Sequence, residues 1–451
     1  MGLISAVFWG NVLQHYWIKL SLILTVISFQ ACTLENQSIH ALNQTHLNDF
    51  GPGPTLPQGQ ELFPINNLND SCVCDYTIDP QIQFMDAQTI NPGSTVCFDA
   101  QVADVRQPMT FEHLNGTQHH PIIVKNCNGS VKFLSTGSQA AIKVISGSYF
   151  RLTGIQSTGS LGIVLDAPSS PHALAIGKAH HYELDNIHIQ SSSFAGIMAK
   201  VDPSSQDCRI NDRRYDSYVM DTVYVHDNLV ENVAGEGFYF GNSFFTGVSD
   251  QYCARNSACD LSRCEGIQYP HLVKNIHIFN NHIENTGWDG IQVGSAVDNC
   301  SISHNTINNW STQNRSSQNH AIQVGDGSSC TVENNLLDGG GIGIHLAGIG
   351  DSLLKNNTIQ NFNEYGIIVN PRPAPLDSDL NGSFYKGGFS IIDNTLVSNI
   401  NTGPAIRDVN IPSNPVPTDE NLIENNTITS LGSVFQLNAR YNWQEINNHT
   451  F

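Results

Sequence analysis

Positive charge is what this chain has least of. Its 451 residues carry 20 Lys and Arg against 40 Asp and Glu, a formal net charge of −20. Affinity for nucleic acid is built on Lys and Arg meeting phosphates, so a nucleic-acid partner is excluded. The shortage also sets a condition on any anionic substrate, which needs a local basic spot or a bridging cation. Long amphipathic helical patterns are absent, which removes the helical fold classes. Cysteine offers no metal site: Cys72 and Cys74 lack zinc-ligand spacing, and no second Cys/His pair completes one. The apolar run LSLILTVISF at residues 20–29 is too short to span a bilayer comfortably.

That run has instead the length of a signal-peptide core, and Lys19 precedes it. It ends in Gln30-Ala31-Cys32. A Cys directly after a small residue resembles a bacterial lipoprotein cleavage site, which would put an outer-membrane lipid anchor on Cys32. An ordinary cut after Ala31, or an uncleaved anchor, are the other readings. Of eleven cysteines, ten remain without Cys32, an even number suited to disulfides in an oxidising compartment. The chain therefore reads as exported, extracellular or held at the cell surface, and as a monomer. The signal occupies residues 1–32, and a polar Asn-, Gln- and Pro-rich linker and cap occupies 33–85.

What is present in quantity is Gly, Asn and repetition. Seven segments share Asn, Asp or His, then Asn, then any residue, then an aliphatic, centred on Asn228, Asn281, Asn305, Asn335, Asn357, Asn394 and Asn426. Between them recurs a second signal, a small residue followed by an aliphatic alternation, at Gly196, Gly237, Gly290, Ala321, Gly343 and Gly366. The shortest Asn-to-Asn interval, Asn335 to Asn357, is 22 residues. A rung of that length, with short strands and no helix, is the signature of a parallel β-solenoid, and loop insertions account for the longer intervals. Alternate aliphatics point inward and stack on the next rung. The recurring Asn sits at a bend, where its amide bonds the turn backbone and its copy one rung away. Cys300 and Cys330 each lie five residues before a repeat Asn. Rungs are about 4.8 Å apart, within disulfide reach, so the pair is either a bridge or two stacked core thiols. The coil is expected over 86–434, with 435–451 as a C-terminal cap or tail.

These repeats, together with FEHLNGTQHHPIIVKNCNGSVKF at 111–133 and SYFRLTGI at 148–155, resemble the right-handed parallel β-helix proteins of the pectate-lyase-like superfamily, and in particular its secreted bacterial members. The resemblance covers residues 90–431 and implies an all-β, right-handed parallel β-helix. For activity it implies a choice, since the superfamily hosts polysaccharide lyases, glycosidases, epimerases and catalytically silent surface proteins. Lyases of this kind need a base, often Lys, Arg or His, and a neutraliser of the uronate carboxylate, often calcium. Calcium is thus a candidate cofactor, with no ligand set named by the sequence. The Asp-Pro-His-Asp run of alginate epimerases is absent. So are the Lys and Arg arrangement of chondroitinase-B-like lyases and the Asp set of polygalacturonases.

What remains is a constellation. Aligned on the small residue, the preceding position reads Ala195, Glu236, Asp289, His320, Ile342, Tyr365. Two positions after it stand Met198, Tyr239, Gln292, Gln323, His345, Ile368, and Lys200 follows at plus four. Polar groups thus concentrate in the middle rungs, as a sugar-binding groove requires. Glu236, Asp289, Lys200 and His320 are the catalytic candidates. Tyr239, Gln292, Gln323, His345 and the aromatic platform Trp288 are the substrate-binding candidates. Strict alternation turns the small residue, plus two and plus four outward and minus one inward, and an inward acid is costly unless bonded. If minus one lies in a bend instead, Glu236 and Asp289 come to about 5 Å, close enough to raise one pKa and to resemble a retaining glycosidase pair. The arginine-bearing segment with Arg209, Arg213 and Arg214 would supply positive charge, and the loop holding Cys253, Cys259 and Cys264 would wall the cleft. A polysaccharide lyase or glycosidase is the leading expectation, and a non-catalytic glycan-binding or structural surface protein the alternative.

Overall fold

Short strands with apolar residues at alternate positions bury one face only if another rung stacks on it. The computed structural model shows that stacking, and it describes residues 61–64, 72–154, 161–201, 218–243, 270–372, 386–409 and 420–451. The apolar run at 20–29, Cys32, the segment with Arg209, Arg213 and Arg214, and the loop with Cys253, Cys259 and Cys264 lie outside the described residues. One turn of the coil is made of Val219–His226, Leu229–Glu231 and Phe238–Phe240. The next is made of Leu272–Phe279, His282–Glu284 and Ile291–Val293. Each strand pairs in parallel with its counterpart one turn on, which generates three ladders, here called rear, side and front. Among the described residues parallel pairing runs from Tyr76–Thr77 to His449–Thr450.

The interior is the stack that the alternation anticipates. On the side ladder Val230, Ile283, Ile307, Leu337, Ile359, Leu396 and Ile428 lie in register and are all fully buried. Each such side chain contributes roughly 1.5–3 kcal/mol of burial.

The rear and side ladders meet at the asparagine corner. Asn228 Nδ2 donates to Asn281 Oδ1 at 2.9 Å, and the same bond repeats through Asn305, Asn335, Asn357, Asn394 and Asn426. The residue before each ladder Asn has a left-handed backbone, for example Asp227 (φ 55°), His304 (φ 56°) and Asn334 (φ 56°). That conformation favours Asn, Asp and His among non-glycine residues, which is why the repeat begins with them. Asn448 adds a further member, accepting from Asn426 Nδ2 at 3.0 Å. It escaped the repeat pattern because Thr450 stands where the pattern has an aliphatic. Asn305 Oδ1 accepts from both the backbone N–H and Nδ2 of Asn281, at 3.1 and 2.9 Å. Asn305→Ala orphans those buried donors at about 1–3 kcal/mol each. The expected result is a loss of about 2–3 kcal/mol in denaturant unfolding, and an unchanged midpoint would refute the ladder's role.

Cys300 and Cys330 pair in register and form a disulfide with a Cα–Cα distance of 4.5 Å, so of the two expected outcomes the bridge is the one realised. Cys72–Cys127 and Cys74–Cys97 are also bonded and tie the first rungs together.

The outer face of the rear ladder carries a buried ion cluster. Arg151 and Glu183 are register neighbours, as are Thr153 and Asp185. Arg151 Nε and Nη2 donate to Asp185 at 2.7 and 2.9 Å, and His226 Nε2 lies 2.8 Å from Glu183. The segment 61–64 seals it. Leu62 and Phe63 donate their backbone N–H groups to Glu183, and Arg151 Nη1 donates to the Phe63 carbonyl at 2.9 Å. Burial works against the Arg151 charge, but Asp185 and then Glu183 and Glu61 outweigh it, leaving its pKa above the ordinary value.

Candidate functional site

The front ladder sets the candidate residues in one line. Met198 pairs with Tyr239, Tyr239 with Gln292, Gln292 with Gln323, Gln323 with His345, and His345 with Ile368. Lys200 follows the Ala195–Ala199 strand, with its ammonium 4.5 Å above the Tyr239 ring.

The small residue before each strand is not outward-facing, contrary to strict alternation. A Cβ on Gly237 would stand 2.5 Å from Gly290 O and 2.8 Å from Cγ2 of the core residue Ile283. The glycine therefore fills a corner against the interior of the next rung, and alternation restarts there. The residue before it turns to the outer face. Ala195 packs with Met198 and Tyr239 in a cluster separate from the interior core, and the His320 ring lies 4.5 Å from the His345 ring. Glu236, Asp289 and His320 thus share the outer face with the plus-two column.

These groups are buried: Glu236 is 1% exposed, Asp289 0% and His320 2%. Asp289 Oδ1 accepts from the His320 backbone N–H at 2.8 Å and lies 3.0 Å from its Nδ1. The second oxygens, Glu236 Oε2 and Asp289 Oδ2, have no hydrogen-bond partner. Neither do both amide atoms of Gln292, Gln323 Oε1 and both ring nitrogens of His345. Buried polar atoms without partners are rare and call for an explanation, and here they gather on one face in successive rungs. Burial first, and then the Asp289 charge, push the Glu236 carboxyl up to about 8, against smaller opposing effects of its own backbone N–H, Lys200 and Arg315. Burial, His320 and Arg372 hold His345 well below the ordinary imidazole value, so its ring is neutral.

Trp288 stands at the rim, half-buried. The Arg315 guanidinium lies 3.6 Å over its ring, Phe194 meets it edge-on at 5.1 Å, and Nε1 donates to Gln313. One face of the expected sugar platform is therefore occupied by a cation. Sequence reasoning missed Arg315, which belongs to the loop after Thr306–Asn308, and Arg372, which pairs with Asp326 at 2.8 Å. Neither falls at a fixed offset in the repeat, so no pattern marks them.

Among the described residues two groups of three side chains bring metal-ligating atoms within 4.8 Å of one another: Cys72, Cys74 and Cys127, and Glu183, Asp185 and His226. Disulfides consume the first, and Arg151 already neutralises the second. Neither fits calcium, which takes six to eight oxygen ligands.

An open groove of about 1380 Å³ adjoins the line of candidates but is not centred on the carboxyl pair. It lies over the earlier rungs and reaches the candidates at Met198 and Lys200.

Residues 273–451 match the family model described as right handed beta helix region. The chain is a right-handed parallel β-helix. Similar solved structures include the alginate lyase from Paenibacillus sp. str. FPU-7, at 14% identity over 83% of this chain and 99% of that one, with a TM-score of 0.38. The A-module of the mannuronan C-5 epimerase AlgE4 from Azotobacter vinelandii matches at 11% identity over 83% and 95%, with a TM-score of 0.44. The GH136 lacto-N-biosidase from Eubacterium ramulus matches at 11% identity over 80% and 63%, with a TM-score of 0.39. A search of the curated proteins found no match. The strand register and the family model carry the fold assignment for this β-helix.

Proposed function

We propose that this β-helix is a polysaccharide-cleaving enzyme whose site is the front-ladder patch from Lys200 to His345. The observation that carries the reading is the pair of carboxyls in neighbouring rungs, Glu236 and Asp289, each with a buried oxygen lacking any partner. A carboxyl that keeps its proton up to about pH 8 beside a second carboxylate is the arrangement that glycoside hydrolysis uses. Glu236 donates its proton to the glycosidic oxygen as the bond breaks. Asp289, held by the His320 N–H, faces the anomeric carbon. Rungs about 4.8 Å apart suit the ~5–5.5 Å carboxyl separation of a retaining pair. Gln292 and Gln323 offer donors and acceptors to sugar hydroxyls.

One observation favours lyase chemistry as a second reading. The neutral His345 ring has both nitrogens unpartnered, as a base that removes a proton beside a uronate carboxylate would. An exported protein fits both readings, because the three disulfides among the described residues belong in an oxidising compartment. Among the described residues no helix is long and apolar enough to cross a membrane.

The test is a panel of neutral and uronic-acid polysaccharides, read for reducing ends and for the ultraviolet absorbance of an unsaturated product. Reducing ends alone support hydrolysis, and an unsaturated product moves the assignment to the lyase. Binding with neither product would leave a non-catalytic glycan-binding protein.

A further inference from the structure

The groove beside the carboxyl pair inverts the charge balance of the chain. The whole sequence has two acidic residues for each basic one, 40 against 20. The groove is lined by Lys143, Lys178 and Lys200 with a single carboxylate, Glu112, and by His113, His172 and His180. The three lysines belong to three consecutive rungs. Lys143 pairs with Ala175 and Lys178 with Ser146, while Ala175 pairs with Met198, two residues before Lys200. At about 4.8 Å per rung the basic strip runs along the coil axis. It also runs into the polar line, because Met198 lines the groove and pairs with Tyr239. A chain laid in this groove therefore passes the lysines and then meets the polar line at Met198 and its register neighbour Tyr239.

We propose that the groove is a binding subsite for an anionic polysaccharide, whose carboxylate or sulfate groups meet Lys143, Lys178 and Lys200 in successive rungs. A nucleic acid is disfavoured because three lysines in a chain of net charge −20 offer little to a phosphate backbone. The placement of the scissile bond beyond Lys200 rests on the cleavage reading above. The binding itself does not.

The experiment measures equilibrium binding of the full chain to four fluorescently labelled polymers of matched length: a polyuronate, a sulfated polysaccharide, a neutral polysaccharide and single-stranded DNA. At least one of the two anionic glycans is expected to bind more tightly than the others, with affinity falling as salt rises. Which one binds identifies the acidic group. Lys143→Ala/Lys178→Ala is expected to weaken that binding by about tenfold or more, as the loss of two charge-assisted contacts requires. Both side chains are exposed, so the variant keeps the fold. Equal binding of the neutral polymer, DNA binding as tight as the glycan's, or an unchanged affinity in the double variant would each overturn the subsite. The two proposals fail separately. Lysine-dependent binding without any cleavage sinks the enzyme reading and keeps the subsite. Cleavage of a neutral polymer with no anionic binding does the reverse.

Discussion

Glu236→Gln is expected to lower polysaccharide turnover by about 10²–10⁴-fold, the usual worth of a positioned general acid. The amide keeps the shape of the carboxyl and removes the proton that leaves with the glycosidic oxygen. Two pH signatures separate this role from a structural one. In the native protein the rate should fall as pH rises through about 8, where Glu236 loses its proton. Stability should move as well. The folded pKa lies above the unfolded value, near 4.5, so the folded state holds the extra proton between those limits. Native stability therefore declines as pH climbs from about 4.5 toward 8, while Glu236→Gln lacks that decline. The variant should gain on the native protein over that window, read as a growing difference in denaturation midpoint. A variant that keeps full turnover would remove Glu236 from the mechanism.

Arg151→Met is expected to destabilise the fold by about 3–5 kcal/mol. Arg151 is 1% exposed, and Glu183 and Asp185 are fully buried around it. Removing the cation leaves buried Asp185 without its main partner, takes the nearby positive charge from Glu183, and releases the Phe63 carbonyl. Replacing all three by apolar residues of similar volume should restore much of the loss, because a buried ion cluster gains little over good packing. If the single variant and the triple variant lose equally, the cost lies in packing rather than in charge. His226 adds a pH dependence of its own. Burial depresses its pKa, but hydrogen bonds to Asp227 and Glu183 prevail and push it up to about 9. Its contribution is complete below the unfolded value of 6.5 and lost as pH rises through 9. The alkaline limb of the denaturation midpoint should flatten in His226→Gln.

The asparagine ladder was legible because a solenoid repeats one local problem. Each corner needs a left-handed residue followed by an amide that can bond its own copy, and that pair recurs as Asn280-Asn281, His304-Asn305 and Asn334-Asn335. The line from Tyr239 through Gln323 to His345 was legible for the same reason, since register carries an offset unchanged from rung to rung. The corner at Gly237 was not. Alternation alone points its neighbour Glu236 inward, and only the approach of Gly290 O and Ile283 shows that the corner consumes one inward position.

Sequence alone thus determined the coil, its register, the stacking of Cys300 against Cys330 and the membership of the polar line, because all four follow from periodicity, whereas that the two thiols are bonded came from the structure. Tertiary structure decided which way the acids turn, that one oxygen of Glu236 and one of Asp289 stay unpartnered, that Arg315 covers Trp288, and that the basic groove sits beside the pair rather than over it. Those features depend on contacts between residues with no fixed offset along the chain. Burial and charge proximity exist only once the rungs have stacked.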